Sequence, residues 1–136
     1  MILFVFKLSE VYDKLKKFNW SDYNIYYAVL FGSLAKKGEG NDIDIAVEFK
    51  NTDLEAYTNL FISLTDYLQT EKVDLVMVTD DTSCYLVHEI FNDSLILYLE
   101  NYDRIHRKAS ICEDFLIDAR KLNLIDNAGK VLLRKW

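Results

Sequence analysis

Val29-Leu30-Phe31-Gly32-Ser33, followed after a short loop by Asn41-Asp42-Ile43-Asp44-Ile45, decides how this chain is read. The first stretch is an apolar run ending in a Gly-Ser corner, and the second opens on two alternating aspartates. From Asp42 to Phe49, residues Ile43, Ile45, Val47 and Phe49 fall on one face and Asp42, Asp44, Ala46 and Glu48 on the other. That period-two alternation predicts a strand. Successive strand side chains point to opposite faces and each residue rises about 3.3 Å, so Asp42 and Asp44 point the same way, about 6–7 Å apart.

Neighbouring carboxylates disfavour each other's ionisation unless a cation or a donor intervenes. A hard divalent ion is the ordinary remedy, and oxygen-only ligands favour magnesium, manganese or calcium over zinc. Asp74 supplies a third carboxylate if Val73-Asp74-Leu75-Val76-Met77-Val78, a short β-branched run, forms a strand beside the first. Alone, Asp-x-Asp also suits a solvated strand start, and Gly-Ser suits an ordinary turn. In combination they gain a chemical use. Gly32 lacks a Cβ and lets the backbone approach a phosphate. Ser33 offers a hydroxyl and a backbone N–H to phosphate oxygens, more so if a helix starts there.

The chain has 136 residues, 51% of them hydrophobic, which is enough for one core and one domain. Sixteen basic against twenty-two acidic residues leave a formal charge of −6, which disfavours nonspecific nucleic-acid binding. Basic residues fall in small groups at Lys14-Lys16-Lys17, Lys36-Lys37, Arg104-Arg107-Lys108 and Arg134-Lys135, with no continuous stripe. Cys84 and Cys112 are far apart and form no Cys-x-x-Cys, so they read as buried thiols and not as a zinc site or disulfide framework. His88 and His106 lack ligand spacing. No apolar run reaches the length of a membrane span and no signal-peptide pattern opens the chain, so a cytoplasmic protein without membrane contact is expected.

Helical periodicity appears in Leu8, Val11, Leu15 and Phe18, with Ser9 as N-cap. It recurs from Asp53 to Leu68 through Leu54, Tyr57, Leu60, Phe61, Leu64 and Leu68, and from Tyr102 to Leu122 through Ile105, Ala109, Cys112, Phe115, Leu116 and Ala119. A strand is expected over residues 24–31, a helical turn over 33–37, a helix over 83–91 and a strand over 95–99. Asp126-Asn127-Ala128-Gly129 reads as a turn before a hydrophobic tail, Val131 to Trp136, which either folds on the core or binds a partner.

Phe31-Gly32-Ser33, Asp42-Ile43-Asp44-Ile45 and Val73-Asp74-Leu75-Val76 together resemble the active-site pattern of the DNA polymerase β-like nucleotidyltransferases. The resemblance is strongest to the small members, the minimal nucleotidyltransferase (MNT) antitoxins that accompany HEPN toxins, and Leu86-Val87-His88-Glu89-Ile90 extends it. It implies an α+β fold, a small mixed β-sheet flanked by helices, as one nucleotidyltransferase domain over residues 1–136 with a C-terminal amphipathic helix and the hydrophobic tail. It implies two Mg2+ ions held by Asp42, Asp44 and Asp74, and ATP bound at Gly32, Ser33 and Lys36. Many relatives carry Arg-Gly shortly after the Ser. Here the loop reads Leu34-Ala35-Lys36-Lys37-Gly38, so Lys36 takes the arginine's place as a point charge without the bidentate fork.

The implied function is that of the antitoxin in a type VII-like pair. AMP passes from ATP to a tyrosine of the cognate HEPN RNase toxin, and Asp74 helps to deprotonate the acceptor hydroxyl. The chain has no Arg-x4–6-His motif of the HEPN type, which fits the antitoxin half. Two alternatives stay open: a toxin-binding antitoxin that works by contact alone, and an aminoglycoside-type nucleotidyltransferase. The latter usually needs extra helices for its acceptor pocket.

Overall fold

A computed structural model describes residues 5–51 and 53–121, and side chains as far as Asp114. Two short strands, β1 (Phe6–Lys7) and β3 (Glu39–Gly40), pair antiparallel as a separate two-stranded sheet. The remaining strands, β2 (Ile25–Phe31), β4 (Ile43–Phe49), β5 (Val73–Met77) and β6 (Leu95–Leu99), form a four-stranded sheet in the order β5-β4-β2-β6. Pairing of β4 with β5 is parallel, while β2 runs antiparallel to both β4 and β6, so the sheet is mixed. Helices α1 (Leu8–Lys16), α2 (Gly32–Lys37), α3 (Leu54–Leu68), α4 (Cys84–Phe91) and α5 (Tyr102–Lys121) flank it, with a 3-10 turn at Trp20–Tyr23. This is the expected α+β architecture.

Both faces of the sheet are covered, and the alternation along β4 decides what each side receives. Ile43, Ile45, Val47 and Phe49 join the larger core with Val11 and Leu15 of α1, Leu60 and Leu64 of α3, and Trp20. Ala46 faces the other way, into a smaller core with Tyr27, Val29, Phe31, Val78 and Ile90 of α4. Fully burying one such aliphatic side chain stabilises the fold by about 1.5–3 kcal/mol. The parallel connection from β4 to β5 runs through α3, whose N-cap Asp53 accepts a hydrogen bond from the Glu55 N–H at 3.0 Å. Ser83 caps α4 in the same manner, accepting from the Leu86 N–H at 3.2 Å.

Three expectations need correction. Ser9 lies inside α1, whose N-cap is Lys7, because β1 runs directly into the helix and leaves no room for a capping turn. Leu54, placed by periodicity on the apolar face of α3, is exposed; it is the helix's first residue, and the buried contacts of α3 come from Leu60 and Leu64, farther along. Cys84 and Cys112 are joined as a disulfide, with Cα atoms 4.9 Å apart. Their separation in sequence hid a proximity created only when α5 packs on α4. The turn at Asp126–Gly129, the tail Val131–Trp136, Leu122 and the packing of Phe115, Leu116 and Ala119 lie outside the described residues.

The single charged residue buried in the described core is Glu48, at the end of β4 remote from Asp44. Tyr27 Oη donates to its Oε1 at 3.0 Å, and Arg104 Nε of α5 donates to its Oε2 at 2.8 Å. Arg104 also lies over the Tyr26 ring, 4.4 Å from its centroid. Burial, with the adjacent Glu48 carboxylate, pushes the Tyr27 phenol above its ordinary value. Because every oxygen of Glu48 has a donor, this network docks α5 on the sheet without leaving a buried charge unpaired.

Candidate active site

The site forms where β2 ends and β4 and β5 begin, on the sheet face that α4 covers. Register puts Asp44 opposite Asp74 across the parallel pair and opposite Phe31 across the antiparallel one. Asp74 therefore sits directly beside Asp44, as expected if its strand paired with the first. Asp42 stands just before β4 begins and is exposed, while Asp44 is half-buried and Asp74 exposed.

Gly32 has a use that the sequence did not disclose. Its φ of +79° lies in the left-handed region that side chains disfavour, and a Cβ there would overlap Asp44 Oδ2 and lie 2.9 Å from the Asp44 carboxyl carbon. The glycine thus lets the backbone turn from β2 into α2 while leaving space for the carboxylate. Gly40 does a similar service, since a Cβ on it would stand 3.1 Å from Ser33 Oγ and 3.2 Å from the Leu34 N–H nitrogen. Ser33 is exposed at the start of α2, and Leu34 anchors that helix in the core.

Electrostatics follow from this crowding. The Asp44 carboxyl is raised from 3.8 to about 6, first by burial, then by its hydrogen bond with Asp74 and by the charges of Asp74, Asp42 and Glu89. Two carboxylates placed side by side in this way are an all-oxygen donor pair suited to a hard divalent cation, whose charge removes the repulsion. Among the described residues, no three acidic, His or Cys side chains converge on one point. Asp44 and Asp74 make the pair, and Asp42 adds its charge from the strand's entry. The donor chemistry fits Mg2+.

Lys36 lies one helical turn after Gly32, and its Nζ is 3.1 Å from Oε1 of Glu89 on α4. The sequence contains no signal for this partner. Glu89 reaches the site only because α4 lies across the sheet, 53 positions along the chain from Lys36. His88 and His106 are both exposed, and His106 stacks on Tyr102. No described helix is long and apolar enough to cross a membrane. A separate cleft of about 380 Å³ opens beyond Glu48, lined by Asp80, Thr82, Arg104, Arg107 and Lys108 at the opposite end of β4.

The family model for polymerase beta nucleotidyltransferases matches residues 13–103, a span that holds Gly32, Ser33, Lys36, Asp42, Asp44, Asp74 and Glu89. The chain belongs to this family. Solved structures extend the likeness to the three-dimensional fold of a nucleotidyltransferase. A toxin–antitoxin complex with AMP-PNP contains a chain similar at TM-score 0.62 and 22% identity, over 90% of this chain and 98% of that one. A complex of a tri-AMPylated Shewanella oneidensis HEPN toxin with its MNT antitoxin gives TM-score 0.57 and 22% identity, over 89% and 94%. The MntA-HepT toxin–antitoxin gives 0.54 and 22%, over 89% and 95%. No curated protein matches the sequence. At these identities the nucleotidyltransferase and its structural neighbours share a fold, and the reading of its site rests on its own residues.

Proposed function

We propose that this nucleotidyltransferase is an MNT-type antitoxin that transfers AMP from ATP to a tyrosine hydroxyl of a cognate HEPN toxin and thereby neutralises it. The observation that carries the reading is the Asp44–Asp74 carboxylate pair set against the Gly32 corner. The structural neighbours support the partner and the nucleotide, since one is a complex with a tri-AMPylated HEPN toxin and another is a complex with AMP-PNP.

Asp44 and Asp74 are the donor pair to hold Mg2+, and the family resemblance adds Asp42 from the entry of β4 and implies two ions. When bound, Mg2+ neutralises triphosphate charge and makes a hydroxyl easier to ionise. Gly32 and Ser33 offer backbone N–H groups and a hydroxyl to the β- and γ-phosphates at the start of α2. Lys36 contributes a positive charge to the same oxygens. Asp74, the more exposed member of the pair, takes the proton from the acceptor hydroxyl. The tyrosine oxygen bonds to the α-phosphorus, the bond from that phosphorus to its bridging oxygen breaks, and pyrophosphate leaves. Positioning and charge stabilisation are the protein's main contributions to such a transfer.

Intact-mass spectrometry of the cognate toxin after incubation with this protein, ATP and Mg2+ tests the reading. The expected outcome is a mass gain in adenylate units that disappears with Asp42→Asn/Asp44→Asn, a loss of at least about a thousandfold in rate. Tight complex formation with no mass gain would move the function to neutralisation by contact alone.

A further inference from the structure

We infer that Glu89 is a positioning residue: from α4 it holds the Lys36 ammonium at the mouth of the carboxylate site, ready for the triphosphate of an incoming nucleotide. This inference rests on the proposed transferase reading and assigns that site a residue beyond Gly32-Ser33, Asp42-x-Asp44 and Asp74.

The geometry of α2 makes the case. Lys36 sits in the last turn of this six-residue helix, and Leu34 is buried in the core. Gly32, which opens α2, abuts Asp44, and Glu89, the partner of Lys36, is near enough to Asp44 for its charge to act on that carboxyl, so the ion pair stands beside the carboxylates. Lys37, the next cation, is exposed. A lysine has a long flexible stem, and among the described residues Glu89 is the one group that hydrogen-bonds it. Glu89 holds it at 3.1 Å, from α4.

Stability is a poor explanation for this pair. With the Lys36 and Glu89 side chains 31% and 54% exposed, it belongs to the class of surface ion pairs that contribute little to folding. Glu89 also adds negative charge beside Asp44, which is costly for the fold and for the carboxylates. A carboxylate kept in an already acidic corner, with the site's lysine as partner, makes sense if the lysine's place is what matters. Once a triphosphate arrives, its denser charge draws the ammonium over a short path, with less rotamer entropy to lose than from a freely moving side chain.

A double-mutant cycle tests this on the full chain. Binding of AMP-PNP with Mg2+ is measured by calorimetry for wild type, Lys36→Met, Glu89→Gln and the double variant, with transfer to the toxin assayed on the same preparations. Glu89→Gln is expected to weaken AMP-PNP binding about three- to fivefold, the size of an exposed ion pair's coupling. The double variant should bind no more weakly than Lys36→Met alone, with KM for ATP raised and kcat nearly unchanged in Glu89→Gln. Additive losses, or tighter binding in Glu89→Gln, would overturn the positioning role while wild-type transfer leaves the proposed function standing. If wild type neither binds AMP-PNP nor modifies the toxin, the transferase reading falls, and the role of Glu89 with it.

Discussion

At the scale of single residues, sterics tie Gly32 to Asp44 and charge ties Asp44 to Asp74. Gly32→Ala combines a disfavoured left-handed φ with a methyl placed on a carboxylate oxygen. It is expected to destabilise the protein by about 1–3 kcal/mol and to abolish transfer, because Asp44 must move. Urea denaturation and the toxin mass assay check both halves. Asp44 yields a pH prediction. Its folded-state value, about 6, exceeds the ordinary 3.8, so the folded state holds the proton more tightly than the unfolded state does. Its contribution to stability is therefore greatest at low pH, falls as pH rises from about 4 through about 6, and is level above that. Thermal melts in EDTA should show this as a difference between wild type and Asp44→Asn that grows over the interval. Added Mg2+ should reduce the difference. Equal slopes in the two proteins would remove Asp44 as the source.

At the scale of elements, a 28-residue separation is closed by the Cys84–Cys112 disulfide between α4 and α5. Closing such a loop restricts the unfolded chain, which predicts a loss of about 3–4 kcal/mol for Cys84→Ser/Cys112→Ser relative to the oxidised protein. Denaturation of wild type with and without reductant should show the same gap, and the double serine variant should not respond to reductant. A reductant effect that persists in the serine variant would assign it elsewhere. Elements also show where sequence reasoning reached and where it stopped. Strand β6 coincides with the range read from Leu95 to Leu99, because a β-branched and aliphatic run beside a turn has few other uses. The pair β1 and β3 was not legible. Each has only two residues, and their pairing depends on where the rest of the chain brings Phe6 and Gly40.

At the scale of the whole molecule, the proposed function predicts that catalysis and toxin binding are separable. Asp42→Asn/Asp44→Asn keeps side-chain shape and removes charge, so the variant is expected to fold as wild type and to bind the toxin within about threefold of wild-type affinity. Size-exclusion chromatography and calorimetry check this; a variant that folds but no longer binds would place the carboxylates in the interface itself. By itself the sequence determined the α+β class, the alternation that sends Ile43, Ile45 and Val47 to one face of β4 and Ala46 to the other, and the motif order that identifies a nucleotidyltransferase, because each follows from local periodicity or short-range spacing. Only the tertiary structure decided that Asp74 stands in register with Asp44, that Gly32 makes room for Asp44, that Glu89 holds Lys36 and that Cys84 meets Cys112. Those contacts join residues far apart in the chain. They exist because burying both faces of the mixed sheet leaves α3, α4 and α5 specific places to pack, and nothing in the local sequence encodes which side chains then meet.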